Sequence, residues 1–255
     1  RMGVVVGKGG HHAIDFWSNR PQGTPGNNLV RGPRACNGED SFLLNSDDVG
    51  LPAASYVAGG GGFGGCNAPD RDGGDGNLHP APYSGSGGGA SDSGTGGSGH
   101  QDGGSSSSPA AGGGGGGSAG GGYDTSSSNA GNGGDGDKTP WIPDNLPNFF
   151  GQPGPTSGMW HCGGGGGGAR PGSSGGSGGN NPTKTSRYAG GGIGRASVPD
   201  YGTHASQHAK YASGGGGGGA MGGPSTINTN GNYLLYSSGI GGHGAPGVVV
   251  IQYTT

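Results

Sequence analysis

Three stretches decide how this chain is read: Gly112-Gly113-Gly114-Gly115-Gly116-Gly117, Gly163 to Gly168 and Gly214 to Gly219, each an unbroken run of six glycines. An apolar or aromatic cluster leads into each run: Pro109-Ala110-Ala111, Met159-Trp160-His161-Cys162 and Tyr211-Ala212-Ser213. A small-residue segment follows each time. Glycine makes up 74 of the 255 residues and hydrophobic residues only 26%, a composition that by itself is the signature of disorder. Glycine loses more backbone freedom on folding than any other residue, so runs this long are ordered only where something holds them densely.

Collagen requires glycine at every third position, and the contiguous runs break that period. A sandwich or barrel fails too, because glycine weakens strand interiors and supplies no side chains for a core. The remaining ordered solution is a bundle of left-handed helices of the polyproline II type, with three residues per turn and no internal hydrogen bonds. Without Cβ atoms such helices approach on every side, and their outward N–H and C=O groups find partners on neighbours, as burial demands. A six-glycine run would span roughly 18 Å, two turns. The expected fold class is therefore little regular α or β structure: a bundle of packed polyglycine II helices, short β-strands at the N- and C-terminal ends, and irregular connecting loops.

Glycine runs fall near 59–65, 84–104, 112–122, 163–179, 189–194, 214–223 and 239–247. The connectors, 66–83, 123–160, 180–188, 195–213 and 224–238, hold most of the aromatic and charged residues. A rigid scaffold with variable-looking loops is the division of labour of binding proteins. The β-branched run Val248-Val249-Val250-Ile251 predicts a C-terminal strand over 247–253, and Val4-Val5-Val6 a shorter one over 3–7, the two pairing or plugging one end. Ser41-Phe42-Leu43-Leu44 and Tyr233-Leu234-Leu235-Tyr236 predict further short strands or caps. No window shows a helical apolar stripe. These readings divide the chain into a mixed strand and loop segment, 1–57, and a glycine-rich domain, 58–255, forming one compact unit.

The aromatic or small lead-in, the six glycines, the polar excursion and the closing Gly244-Ala245-Pro246-Gly247-Val248-Val249-Val250-Ile251-Gln252-Tyr253 resemble the glycine-rich domains of bacteriophage tail-fibre and tail-tip adhesins. The resemblance is best over 188–255, looser over 56–179 and weak over 1–55, where Lys8 to Val49 intervene between the valine-rich start and the first glycines. It implies a polyglycine II bundle whose loops contact a host receptor. Expected partners are then a host cell-surface protein or glycan and other virion or fibre subunits, and the expected location is the virion tail or the extracellular space.

Twelve basic against fifteen acidic residues, net −3, with no basic cluster, argue against nucleic acid. No apolar stretch is long enough for a membrane span, so no membrane insertion is expected. The start at Arg1 is compatible with processing, a fragment or an incompletely assigned start, and no signal peptide is visible in this sequence. Cys36, Cys66 and Cys162 form no CxxC; a Cys36–Cys66 disulfide is one reading, buried free thiols the preferred one. His11-His12 and His161-Cys162 are the tightest histidine clusters and lack ligand spacing, so no metal is expected. Asp70, Asp72 and Asp75 form a weak calcium candidate, because Gly73-Gly74-Asp75-Gly76-Asn77-Leu78 and Gly133-Gly134-Asp135-Gly136-Asp137-Lys138 approach a calcium-binding nonapeptide but carry Leu78 and Lys138 at its metal-binding aspartate. Gly3 to Gly9 lacks the spacing of a phosphate loop. No cofactor is expected, and no catalytic motif stands out, so an enzyme is not expected.

Binding is where the remaining signal lies. The connector Trp141-Ile142-Pro143-Asp144-Asn145-Leu146-Pro147-Asn148-Phe149-Phe150 is the most aromatic stretch, and its prolines limit the freedom lost on ordering. Trp141, Phe149 and Phe150 are receptor-binding candidates, the alternative being a small satellite core. The same two readings apply to Phe16, Trp17 and Trp160. Tyr201, His204 and His208 are further candidates in a short polar connector. Gly114, Gly165 and Gly216 stand at the centres of the three runs as scaffold positions. A structural subunit of a fibre or virion is the alternative function, and an ice-binding face of small residues is disfavoured by the charged connectors.

Overall fold

The computed structural model of the chain describes residues 2–11, 15–17, 29–31, 35–45, 56–65, 71–80, 84–107, 111–127, 129–139, 152–153, 159–169, 178, 191–192, 194 and 243–251. Among these there is no helix, and the strands are short and antiparallel. The valine-rich start forms β1 (Met2–Val5), which pairs with β4 (Ser41–Asn45); β4 pairs in turn with β5 (Tyr56–Ala58). Val4, Leu43 and Tyr56 lie in one cross-strand row and Val5, Phe42 and Val57 in the next. A hairpin of β2 (Asp15–Trp17) and β3 (Leu29–Arg31) stands apart from that sheet. The third sheet has the order β6 (Asp137–Thr139), β8 (Met159–His161), β7 (Gln152–Pro153).

Most of the described chain is held by backbone bonds that belong to no strand. Gly112, Gly113 and Gly114 donate to the carbonyls of Gly168, Ala90 and Tyr123, on three different segments. Gly115, Gly116 and Gly117 then return to the same three segments in the same order, donating to Gly165, Gly87 and Gly120 at 2.8–2.9 Å. A β-strand alternates between two sides; this run repeats over three. The period recurs where neighbours run parallel, as in Gly62 to Ser86 and Gly65 to Gly89, and where they run antiparallel, as in Gly97 to Gly88 and His100 to Gly85.

Segment 84–91 lies in the middle of this network. Its amides at Gly85, Gly88 and Ser91 donate to Asn77, Gly74 and Arg71, and those at Gly87 and Ala90 donate to Gln101 and Gly104. Its carbonyls accept from segments 60–65, 94–100 and 112–117. Such closeness excludes side chains. A Cβ at Gly88 would lie 1.8 Å from the Phe63 carbonyl oxygen, and one at Gly114 1.8 Å from that of Asn132. The buried hydrophobic side chains among the described residues are accordingly few: Ala90, Ala111, Ala169 and Met159, of which Met159 alone is large. Cohesion rests on many backbone bonds, each contributing a net of about 0.5–1.5 kcal/mol, rather than on an apolar core.

Several boundaries differ from the expected ones, for one physical reason. Where only one residue in three faces outward, a segment needs glycine at the other two and tolerates a side chain at the third. Asp72-Gly73-Gly74-Asp75-Gly76 obeys that rule, with Asp72, Asp75 and then Leu78 exposed, and Asn77 departs from it with a side chain that bonds to Gly38 and Asp40; the stretch lies inside the network although it was expected to be connector. Residues 129–135 enter it likewise through Gly131 to Gly112 and Gly134 to Gly115. The expected run 84–104 is more than one pass, folded back at Asp92 and Ser93, whose φ values of 46° and 66° are left-handed.

The expected C-terminal strand over 247–253 is also corrected. Residues 247–251 form no strand, and 252–255 lie outside the described residues. The two ends do meet: Gly247 and Gly244 donate to the carbonyls of Gly7 and Gly10 at 2.9 and 3.1 Å. Those contacts are three residues apart, so the C-terminal segment follows the network's period instead of a strand's. Of the other expected strands, 3–7 corresponds to β1 and 41–44 to β4, whereas 233–236 lies outside the described residues.

Candidate functional site

The aromatic connector is rooted in the third sheet. It leaves β6 after Thr139 and returns at β7 with Gln152, and both strands flank β8. Thr139 and Pro153 are both register partners of Met159, the one large side chain fully buried among the described residues. The roots are thus set two strand spacings apart, about 10 Å. β8 then runs directly into the glycine run, where Gly112 and Gly115 donate to Gly168 and Gly165. The connector is tied to the glycine network through three residues of strand and one buried methionine.

Of the candidate residues, Trp160 is in β8, opposite Lys138 and Gln152, and half-buried. Its Nε1 is buried with no hydrogen-bond partner. Phe16 and Trp17 are in β2, in register with Val30 and Leu29. Trp141, Phe149, Phe150, Tyr201, His204, His208 and the scaffold position Gly216 lie outside the described residues. Gly114 and Gly165 are buried in the network.

At the end of β8 the His161 Nδ1 and Cys162 Sγ are 3.2 Å apart, and Cys162 has a left-handed φ of 57°. Burial pulls the His161 imidazole below its ordinary value, against the opposing charge of Asp137. Burial, reinforced by Asp137, pushes the Cys162 thiol up to about 11. A thiol held protonated is a poor nucleophile. Cys36 is free and exposed, which corrects the expectation of a buried thiol, and Cys162 is also free. Mild alkylation followed by peptide mapping is expected to label Cys36 and leave Cys162 unmodified.

The aspartates assigned weakly to calcium have another role. Asp72 Oδ1 accepts from the Thr95 amide and Asp75 Oδ1 from the Ser98 amide, each at 2.7 Å, while Asp70 lies outside the described residues. Asp124 does the same for Ser105 at 2.6 Å, and Thr125 Oγ1 for Ser107 at 3.0 Å. Edge amides are satisfied by side chains of the next segment. Among the described residues no group of three His, Cys, Asp or Glu side chains could hold a metal ion.

A second polar cluster joins the first sheet to the network. Asp40 accepts from the Gly60 amide at 2.9 Å and the Asn77 amide group at 2.7 Å, and pairs with His79 Nε2 at 2.8 Å. Burial alone pushes Asp40 up, but Asn77, Gly60 and His79 together outweigh it and hold the carboxyl below 3.8. With the folded value depressed, the stability contributed is complete above the ordinary value and is lost as pH falls through the folded one. Asp40→Asn is therefore expected to lower stability at neutral pH by about 1 kcal/mol and to shrink the acid-induced loss that sets in below about pH 4, the ordinary carboxylate value, read from denaturant midpoints.

No family model matches the chain, and neither the curated proteins nor the solved structures compared with it contain a match. Among the described residues no helix is long and apolar enough to cross a membrane.

Proposed function

We propose that the chain is a tip adhesin of the bacteriophage tail-fibre type, in which a rigid glycine scaffold presents the 140–151 connector to a host cell-surface protein or glycan. The observation that carries this reading is the rooting of that connector: both ends are register partners of one buried methionine, on a strand continuous with the glycine run. Holding the roots of an aromatic loop lowers the freedom it loses on binding. Trp141, Phe149 and Phe150 supply the rings that stack on a sugar or fill a protein pocket.

The scaffold in this reading is a bundle of polyglycine II helices. The three-way rotation of consecutive amides supports it, because a helix with three residues per turn aims every third N–H at the same neighbour. The resemblance of the glycine-rich segments to tail-fibre adhesins supports it independently. The deciding experiment compares binding of the parent and of a Trp141→Ala, Phe149→Ala, Phe150→Ala variant to bacterial cells and their extracted surface glycans. Loss of binding in a variant with the parent's melting curve is expected. No binding by the parent to a broad panel of hosts would overturn the proposal in favour of a structural subunit.

A further inference from the structure

Four segments each leave one row of backbone groups without a partner among the described residues. In 84–91, Gly85, Gly88 and Ser91 donate to segment 71–77 and Gly87 and Ala90 to segment 101–104, while nothing accepts from Ser86 or Gly89. In 163–168, Gly164 and Gly167 donate to Gly134 and Gly131 and Gly166 to Gly192, while nothing accepts from Gly165 or Gly168. Carbonyls of two further segments complete the set. In 112–117, Gly112, Gly114 and Gly115 accept from Gly131, Gly104 and Gly134, while nothing donates to Gly113 or Gly116. In 60–65, Gly60, Gly61 and Phe63 accept from Asn77, Gly38 and Gly74, while nothing donates to Gly62 or Gly65.

The four rows border one channel. Around 84–91, segment 71–78 bonds to both 60–65 and 95–98, and segment 101–106 to both 94–97 and 112–117. The side left over lies between 112–117 and 60–65, and with amide rows a third of a turn apart it is the side of Ser86 and Gly89. Around 112–117 the side left over lies between 84–91 and 163–168. A Cβ at Gly89 would overlap the Gly113 oxygen, one at Gly167 would stop 2.7 Å from it, and one at Gly88 3.0 Å from the Gly62 oxygen. Gly89, Gly113, Gly165 and Gly168 are buried, and buried backbone groups need partners.

We infer that the partner is the third six-glycine run, Gly214 to Gly219, lying along this channel. The occupant must donate to the Gly62 and Gly65 carbonyls and to those of Gly113 and Gly116, and accept from Ser86, Gly89, Gly165 and Gly168. Each pair is three residues apart, so the task takes two turns, six residues, with no Cβ toward four backbone walls. Outside the described residues, 214–219 is the one unbroken run of that length. The other glycine-rich stretches are placed elsewhere or interrupted. Gly191 and Gly192 lie on the side to which Gly166 donates, a third of a turn from the channel, and a Cβ at Gly178 would overlap Gly191. Ile240 breaks 239–242. Residues 195–213 and 220–242 tether the run to Gly194 and His243, each reaching at least about 60 Å when extended, and the tethers give it a high effective concentration over any second copy.

Glycine-resolved amide exchange of the full chain tests this. In the parent, Ser86, Gly89, Gly165 and Gly168 are expected to exchange slowly, as are four of the six amides of 214–219, at the same rate in concentrated and dilute protein. Gly216→Val with Gly217→Val places a side chain toward at least one wall whatever the register, and is expected to speed exchange of the four wall amides at least about tenfold through local opening. The inference rests on the three-residue period of the scaffold, and slow exchange at Gly112 and Gly115 in the same samples separates its failure from a failure of that scaffold. Should the double variant unfold altogether, the parent's own 214–219 amides decide. Free exchange of that run or of the wall amides in the parent, protection lost on dilution, or wall amides still protected in a folded variant would overturn the inference.

Discussion

Gly114→Val is expected to unfold the glycine network rather than loosen it. The added Cβ would lie 1.8 Å from the carbonyl oxygen of Asn132 and 2.3 Å from its carbon, and neither is the flexible end of a side chain that could turn away. Segment 129–135 would have to retreat. With it would go the bonds from Gly131 to Gly112 and from Gly134 to Gly115, and the bond from Tyr123 to Asn132 itself. Overpacking costs about 1–3 kcal/mol even where a core can adjust, and each lost backbone bond adds about 0.5–1.5 kcal/mol. The total, about 2.5–7.5 kcal/mol, is a large share of the stability of any domain. Urea unfolding followed by circular dichroism is the measurement, and a parent-like midpoint would contradict the role given to close backbone approach. Gly61→Val, the same substitution where the Cβ has room, is the internal control.

Met159→Ala has the second largest expected effect, through a different mechanism. Met159 is 0% exposed and is the one large side chain fully buried among the described residues, so its truncation removes buried area that no neighbouring side chain replaces. The expected loss is about 2–5 kcal/mol. Because Thr139 and Pro153 are both register partners of Met159, the damage should concentrate at the roots of the 140–151 connector. Limited proteolysis is expected to cut the variant there at protease levels the parent survives, before the glycine network opens. Cleavage spread evenly along the chain would show that Met159 holds no separate unit.

The sequence makes the glycine runs 112–117 and 163–168 plain because a six-residue run has few ordered fates, and the absence of side chains there leaves backbone pairing as their source of cohesion. It also makes β1 and β4 plain, since β-branched and apolar runs are local signals. The same signal misleads at Val248 to Ile251, where Gly244 and Gly247 meet Gly10 and Gly7 at three-residue intervals and no strand forms. Asp72 and Asp75 resemble calcium ligands when read along the chain, and their role depends on Thr95 and Ser98, which lie 23 residues further on. No local pattern announces that neighbour. β6 is equally silent: Asp137-Lys138-Thr139 is polar, and it becomes a strand because Met159-Trp160-His161 lies beside it. Phe16 and Trp17 are found in a hairpin, an arrangement their apolar character alone did not specify.

Amide hydrogen exchange tests the central claim, that backbone bonds among glycine segments hold a rigid scaffold, most directly. The account predicts slow exchange at Gly112 to Gly117, with three neighbouring segments accepting in rotation, and fast exchange at Gly61 and Gly64, which are exposed and whose amides have no acceptor among the described residues. Exchange of the whole 112–117 run at the rate of an unstructured peptide would contradict it.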